Sequence, residues 1–187
     1  MSQHSSLLIA IITMAMASAA CNGTSDEVAE ADFSPYNAAD QPSSSQPSRT
    51  DNAQLNPCSL LDAASDLSEV GTFAGPTRKD RAGARSCVWQ LERDNPAGEG
   101  LVIALDVRDD QTVDSLTDVG GGVRPGAIND RTAAEAPDPA SNDCTLAIEL
   151  DTTSRIDVGI AAMDDVNAAC EVAREVAYLV EPRLTKA

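Results

Sequence analysis

CTLAIELDTTSRIDVGIAA, residues 144–162, decides the fold of this chain. Cys144, Leu146, Ile148 and Leu150 fall on one face of an extended backbone, and Ile156, Val158 and Ile160 repeat the pattern beyond the polar run Asp151 to Ser154. Apolar residues at period two, with Glu149, Arg155 and Asp157 between them, predict two strands of an antiparallel sheet covered on one side. The pattern also occurs upstream. Cys87, Trp89 and Leu91 share one face and Leu101, Ile103, Leu105 and Val107 another, while Gln90, Glu92 and Asp106 alternate with them. Two Cys-led hairpins therefore echo each other, as an internal duplication would.

Outward from these hairpins, DDVNAACEVAREVAYLV (164–180) reads as a helix. Asp164 and Asp165 suit its amino end, Val166, Cys170, Ala173, Ala177 and Val180 recur at spacing three or four, and Pro182 closes it. Its apolar stripe predicts packing on the covered face of the sheet. A first helix is predicted from Ser59 as N-cap with Asp62 three residues later, followed by Leu60, Leu61, Ala64 and Leu67 and ended by Gly71. Between the hairpins, Thr112 to Val119 predicts a short helix, and GGGVRPG (120–126) and EAPDPASND (135–143) predict loops. The expected architecture over 57–187 is one α+β domain: a one-sided antiparallel sheet of four or more strands, helices on one face, and two disulfides.

The five cysteines divide one plus four. Cys58, Cys87, Cys144 and Cys170 lie within the domain, and an even set of this kind predicts disulfides and an oxidising compartment. Four cysteines allow three connectivities, which sequence leaves open. The simplest arrangement staples each helix to the sheet, Cys58 to Cys87 and Cys144 to Cys170. Cys21 stands apart, directly after the apolar segment Leu7 to Ala20, which is too short for the roughly 20 residues that span a bilayer. Residues 1–20 read as a signal peptide and Cys21 as a lipidated amino terminus, although Ser18 stands where a lipoprotein box usually has Leu and no Lys or Arg precedes the apolar run. Cleavage after Ala19 would instead release a soluble secreted protein. From 21 to 56 the chain is rich in Ser, Gln, Asn, Pro and acids and reads as a disordered acidic tether.

PCSLL at 57–61, the C-x-W of Cys87 to Trp89, the Cys-led strand at Cys144 and the closing CEVAREVAYLVEPRL (170–184) resemble an uncharacterised actinobacterial secreted lipoprotein family, domain of unknown function family 3558. The resemblance implies a secreted, disulfide-bonded, membrane-tethered domain and transfers no catalytic residues. The two-disulfide plan is more loosely similar to extracellular sensor domains of mycobacterial receptor kinases.

Chemistry is conspicuous by its gaps. His4, inside the signal segment, is the one histidine of the chain, so the mature protein lacks a Ser-His-Asp or Cys-His arrangement and any histidine metal ligand. Asp109-Asp110 and Asp164-Asp165 match no calcium loop. No catalytic residue, metal or cofactor is expected. A net charge of −17 disfavours nucleic acid as a partner and favours solubility. Against it, Arg78, Lys79, Arg81 and Arg85 form a candidate anion-binding cluster, whose plainer reading is a solvated loop balancing nearby acids. The expected function is a non-enzymatic, monomeric lipoprotein on the outer face of the cell membrane, held by its amino-terminal lipid and binding or sensing a small ligand or envelope protein. The alternatives are a structural or interaction subunit of a membrane complex and a carboxylate-based hydrolase.

Overall fold

Seven strands, each antiparallel to its neighbours, make one sheet in the computed structural model, which describes residues 52–92 and 100–184. Cys21, the signal segment and nearly all of the tether lie outside the described residues. The strands are β1 (Thr77–Arg81), β2 (Ala84–Gln90), β3 (Val102–Arg108), β4 (Arg124–Ile128), β5 (Arg131–Asp138), β6 (Asp143–Glu149) and β7 (Arg155–Ala161). Their spatial order is β1-β2-β3-β7-β6-β5-β4. Two meanders thus meet where β3 pairs with β7.

Both Cys-led hairpins are present. β2 and β3 set Cys87 opposite Leu105 and Trp89 opposite Ile103. β6 and β7 set Cys144 opposite Ile160 and Leu146 opposite Val158. The central pair joins them through Leu105 and Val158, so one apolar face runs unbroken across both. Trp89, Ile103, Leu105, Leu146, Ile148 and Ile156 have no exposed surface. At roughly 25 cal/mol for each Å² of apolar surface removed from water, this face is the main stabilising term of the domain.

Three strands fall where no strand was expected. β1 carries Arg78, Lys79 and Arg81 of the basic cluster, with Arg85 on β2, while β4 and β5 take up parts of the two predicted loops. Ala82 and Gly83, with φ of 49° and 76°, form the two-residue turn that folds β1 onto β2. Likewise Asn129, at φ 49°, begins the turn from β4 to β5. The segment predicted as a helix at 112–119 contains only one 3-10 turn, Val113–Ser115.

The first helix also begins later than its sequence suggests. Pro57–Ser59 is a 3-10 turn capped by Asn56, and α1 (Ala63–Asp66) is capped by Asp62, whose carboxylate accepts from Ala64 N–H. Asp66 in return accepts from Asp62 N–H at 2.7 Å. A reciprocal cap therefore exists, moved along the chain because Pro57 starts its own turn and Leu60 and Leu61 are drawn into the core. The long helix α2 (Val166–Val180) matches expectation: Asp165 accepts from Ala168 N–H, and Ala169, Cys170, Ala173, Val176, Ala177 and Val180 are buried. It packs on β5, β6 and β7. The Pro57–Ser59 turn packs on β2 and β3, and Cys58–Cys87 and Cys144–Cys170 are the two disulfides.

The second face is less open than the alternation implies. Arg155, Asp157 and Asp106 are buried rather than solvated. The chain after β3 crosses over this face, and Arg155 donates to Thr112 O at 2.7 Å and to Ser115 Oγ at 2.9 Å. Val113 meets Ala134 and Ala147 there as a small second apolar cluster.

Candidate functional site

Among the described residues a concavity lies on each face of the sheet. On the helix-bearing face a cleft of about 600 Å³ lies between α1, the Phe73–Pro76 segment and β2. Leu61, Ala64, Phe73, Pro76 and Trp89 line it beside Cys58, while Asp62, Ser65 and Arg183 supply polar groups. β2 directs Trp89 to this face, and an isolated bridge between Phe73 and Leu91 positions the opposite wall. Trp89 has no exposed surface, yet its indole Nε1 has no hydrogen-bond partner among the described residues. A buried indole N–H usually has one. Arg183 clasps the outer end of this region, donating to Leu60 O at 2.9 Å and, from its second nitrogen, to Asp66 Oδ1 at 2.8 Å. That guanidinium holds the Asp66 carboxyl below its ordinary value against a smaller upward push from burial.

The opposite face carries a shallower groove of about 240 Å³. Its floor is Val102, Ala104, Gly159 and Ala161, and its charged groups are Arg81, Asp106, Arg108, Asp157 and Asp143. Register places Asp106 and Asp157 directly across from each other. Their environments differ sharply. Asp157 accepts from Arg155 Nε at 2.7 Å and from Arg108, so two guanidiniums satisfy it. Among the described residues Asp106 has only Arg81, at 3.5 Å from Oδ2, and its Oδ1 is buried without a partner. Ser86, the cross-strand neighbour of Asp106 on β2, also has an unpartnered buried hydroxyl.

Among the sequence-predicted residues, the four domain cysteines are brought together as pairs, but the basic cluster is not gathered. Alternation along β1 sends Arg78 and Lys79 to opposite faces, both exposed. Arg81 reaches Asp106, while Arg85 is held by Asp109 Oδ1 at 2.8 Å, by Asn52 O at 2.8 Å and by Leu55 O. Two of the four cations thus already have carboxylate partners. The acid pairs have structural work as well, since Asp109 binds Arg85 and Asp165 caps α2.

Glu135 escaped the sequence reading. It is buried against α2, accepting from Arg174 Nε at 2.8 Å and from Arg124 at 3.3 Å. One carboxylate oxygen and the sulfurs of Cys144 and Cys170 lie within 4.8 Å of one another, but both sulfurs are spent in a disulfide and offer no thiolate to a metal. Ser86, Asp106 and Gly159 were also missed as a group, because only cross-strand register brings them together.

No curated protein and no solved structure matches this chain. A family model described as a protein of unknown function, DUF3558, matches residues 16–183, which takes in both Cys-led hairpins, both disulfides and α2. The chain belongs to that family.

Proposed function

We propose that this chain is a membrane-tethered extracytoplasmic lipoprotein that binds a small ligand without transforming it. The observation that carries the reading is the cleft beside Trp89: about 600 Å³, with apolar and polar groups in nearly equal share and a buried indole donor that has no partner among the described residues. Its volume lies within the range of small-molecule sites, and Leu61, Phe73 and Trp89 supply apolar surface beside the convergent polar groups of Asp62, Ser65 and Arg183. Two disulfides support a life in an oxidising compartment, and no helix among the described residues is long and apolar enough to cross a membrane. Anchoring would then fall to Cys21.

Trp89 is the chain's single tryptophan, so its fluorescence reports the cleft without background. Titration with a panel of amino sugars, short peptides, polyols and short-chain fatty acids is expected to give a saturable shift with at least one class. Ala64→Leu, which fills the cleft from α1, is expected to abolish it. A folded protein whose emission answers to none of these probes, or answers equally in Ala64→Leu, overturns the reading. For the anchor, metabolic labelling with an alkyne fatty acid should mark the protein, and label that survives Cys21→Ala refutes attachment there.

A further inference from the structure

We propose that the groove on the second face of the sheet is a separate binding site for a small zwitterion, a free amino acid or dipeptide with a short side chain. Three observations converge. Asp106 is a carboxylate whose side chain is 10% exposed, and among the described residues its Oδ1 makes no hydrogen bond, the Ser86 hydroxyl across from it being unpartnered too, which leaves a demand for a positive or hydrogen-bonding group. Arg81, 54% exposed and only 3.5 Å from the other oxygen of Asp106, is a guanidinium with donors to spare on a side chain free to turn. Between these charges and the far end of the groove the floor is made of Ala104, Gly159 and Ala161 beside Val102.

Charge balance selects the ligand. A simple anion would meet Asp106, Asp143 and Asp157, and a simple cation would meet Arg81 and Arg108. A molecule bearing both charges meets complements to both. Its ammonium donates to Asp106 Oδ1, its carboxylate accepts from Arg81, and its side chain lies over Gly159 and Ala104. The volume of about 240 Å³ has room for a small molecule of this kind. The glycine has a matching role. A Cβ at Gly159 would sit 3.7 Å from Ala104 Cβ, an ordinary contact, so no steric limit in the protein requires glycine there. What the missing side chain leaves is floor.

That geometry supplies a clean test. Gly159→Val fills the groove while raising strand propensity, so the variant should fold at least as well as the parent. Two-dimensional amide NMR of the full domain is recorded with alanine, alanyl-alanine, trialanine and the N-acetylated and C-amidated forms of the dipeptide. Expected are saturable shifts confined to amides near Ala104, Gly159 and Asp106, at least tenfold weaker for each blocked form, absent in Gly159→Val, and weakened in Asp106→Asn and Arg81→Gln. Trialanine separates a free small zwitterion, which it would bind poorly, from an open peptide site. Blocked and unblocked dipeptides binding alike, shifts that persist in Gly159→Val, or no saturable shift up to about 10 mM would overturn the proposal and leave Asp106 Oδ1 to water. Trp89 fluorescence stays unchanged if this site alone is filled, which keeps the outcome distinct from that of the cleft.

Discussion

Removing the two disulfides one at a time should produce two different failures. The bridges close chain separations of 29 and 26 residues. In the chain-entropy model each such closure is worth about 3.5 kcal/mol, a large part of the 5–15 kcal/mol that holds a domain together. What each bridge fastens differs. Cys170 lies within α2, whose Ala169, Ala173, Val176, Ala177 and Val180 pack on the sheet without it, so Cys144→Ala/Cys170→Ala should lower global stability by about that amount and leave the native structure in place. Cys58 belongs to a segment built from a three-residue 3-10 turn and a four-residue helix, elements too short to persist unaided. Cys58→Ala/Cys87→Ala should therefore free residues 52–76 locally before the sheet unfolds. The assay is guanidinium denaturation followed by Trp89 emission and far-ultraviolet circular dichroism, with amide hydrogen exchange on each native variant. The second double variant should show fast exchange in 52–76 and a red-shifted Trp89, since Cys58, Leu61 and Phe73 line the same cleft. If that variant keeps the parent's emission and exchange, or if either variant loses less than about 1 kcal/mol, the reasoning fails.

Acid should loosen both ends of the domain. Arg183 holds the Asp66 carboxyl below its ordinary value of 3.8, and at Asp151 hydrogen bonds from Thr153, Ser154 and Asn52 outweigh the upward push of burial. A depressed folded-state value means stability that is complete above the unfolded-state value and lost as pH falls through the folded one, so exchange around Asn52 and Arg183 should accelerate below about pH 4 while the central strands stay protected. Arg174→Ala strips the bidentate partner from Glu135, leaving a buried carboxylate to half-exposed Arg124, and should cost about 3 kcal/mol in urea unfolding. The double variant Glu135→Leu/Arg174→Met should recover most of it. In Gly121→Ala the new Cβ would fall 2.5 Å from Pro137 O, a backbone atom that cannot turn aside, so a loss of about 1–3 kcal/mol is expected in thermal or denaturant unfolding.

Half of the sheet is plain in the sequence, and the physical reason is burial on one face. Leu101 to Val107 and Cys144 to Ile160 alternate because one side meets α2 and the core. β1 is exposed throughout and β5 is buried over its middle on both sides, so neither produces period-two contrast. Their residues mislead further: RPGAI holds Pro and Gly, and RTAAEAPD holds three Ala with Glu, Pro and Asp, all poor strand formers. The turns carried the better signal, Ala82-Gly83 and Asn129-Asp130, each two residues between strand ends. For the candidate sites the limit is different. Cysteine pairing follows from which element each sulfur rides on, whereas the unpaired Trp89 Nε1 and Asp106 Oδ1 depend on what fails to arrive in space, which no spacing records.

Cys58–Cys87 also sets a load path. Before the bridge, the incoming chain is held by Asn52 on Asp151 and by Arg85 on the carbonyls of residues 52 and 55. Traction from the amino end would shear those bonds first, extend the few residues to Cys58, and then pass through the sulfurs into β2. There it meets β1 on one side and β3 on the other, so the force is spread over two ladders of hydrogen bonds instead of peeling a single strand. A domain fastened this way would keep its sheet under traction from its amino end.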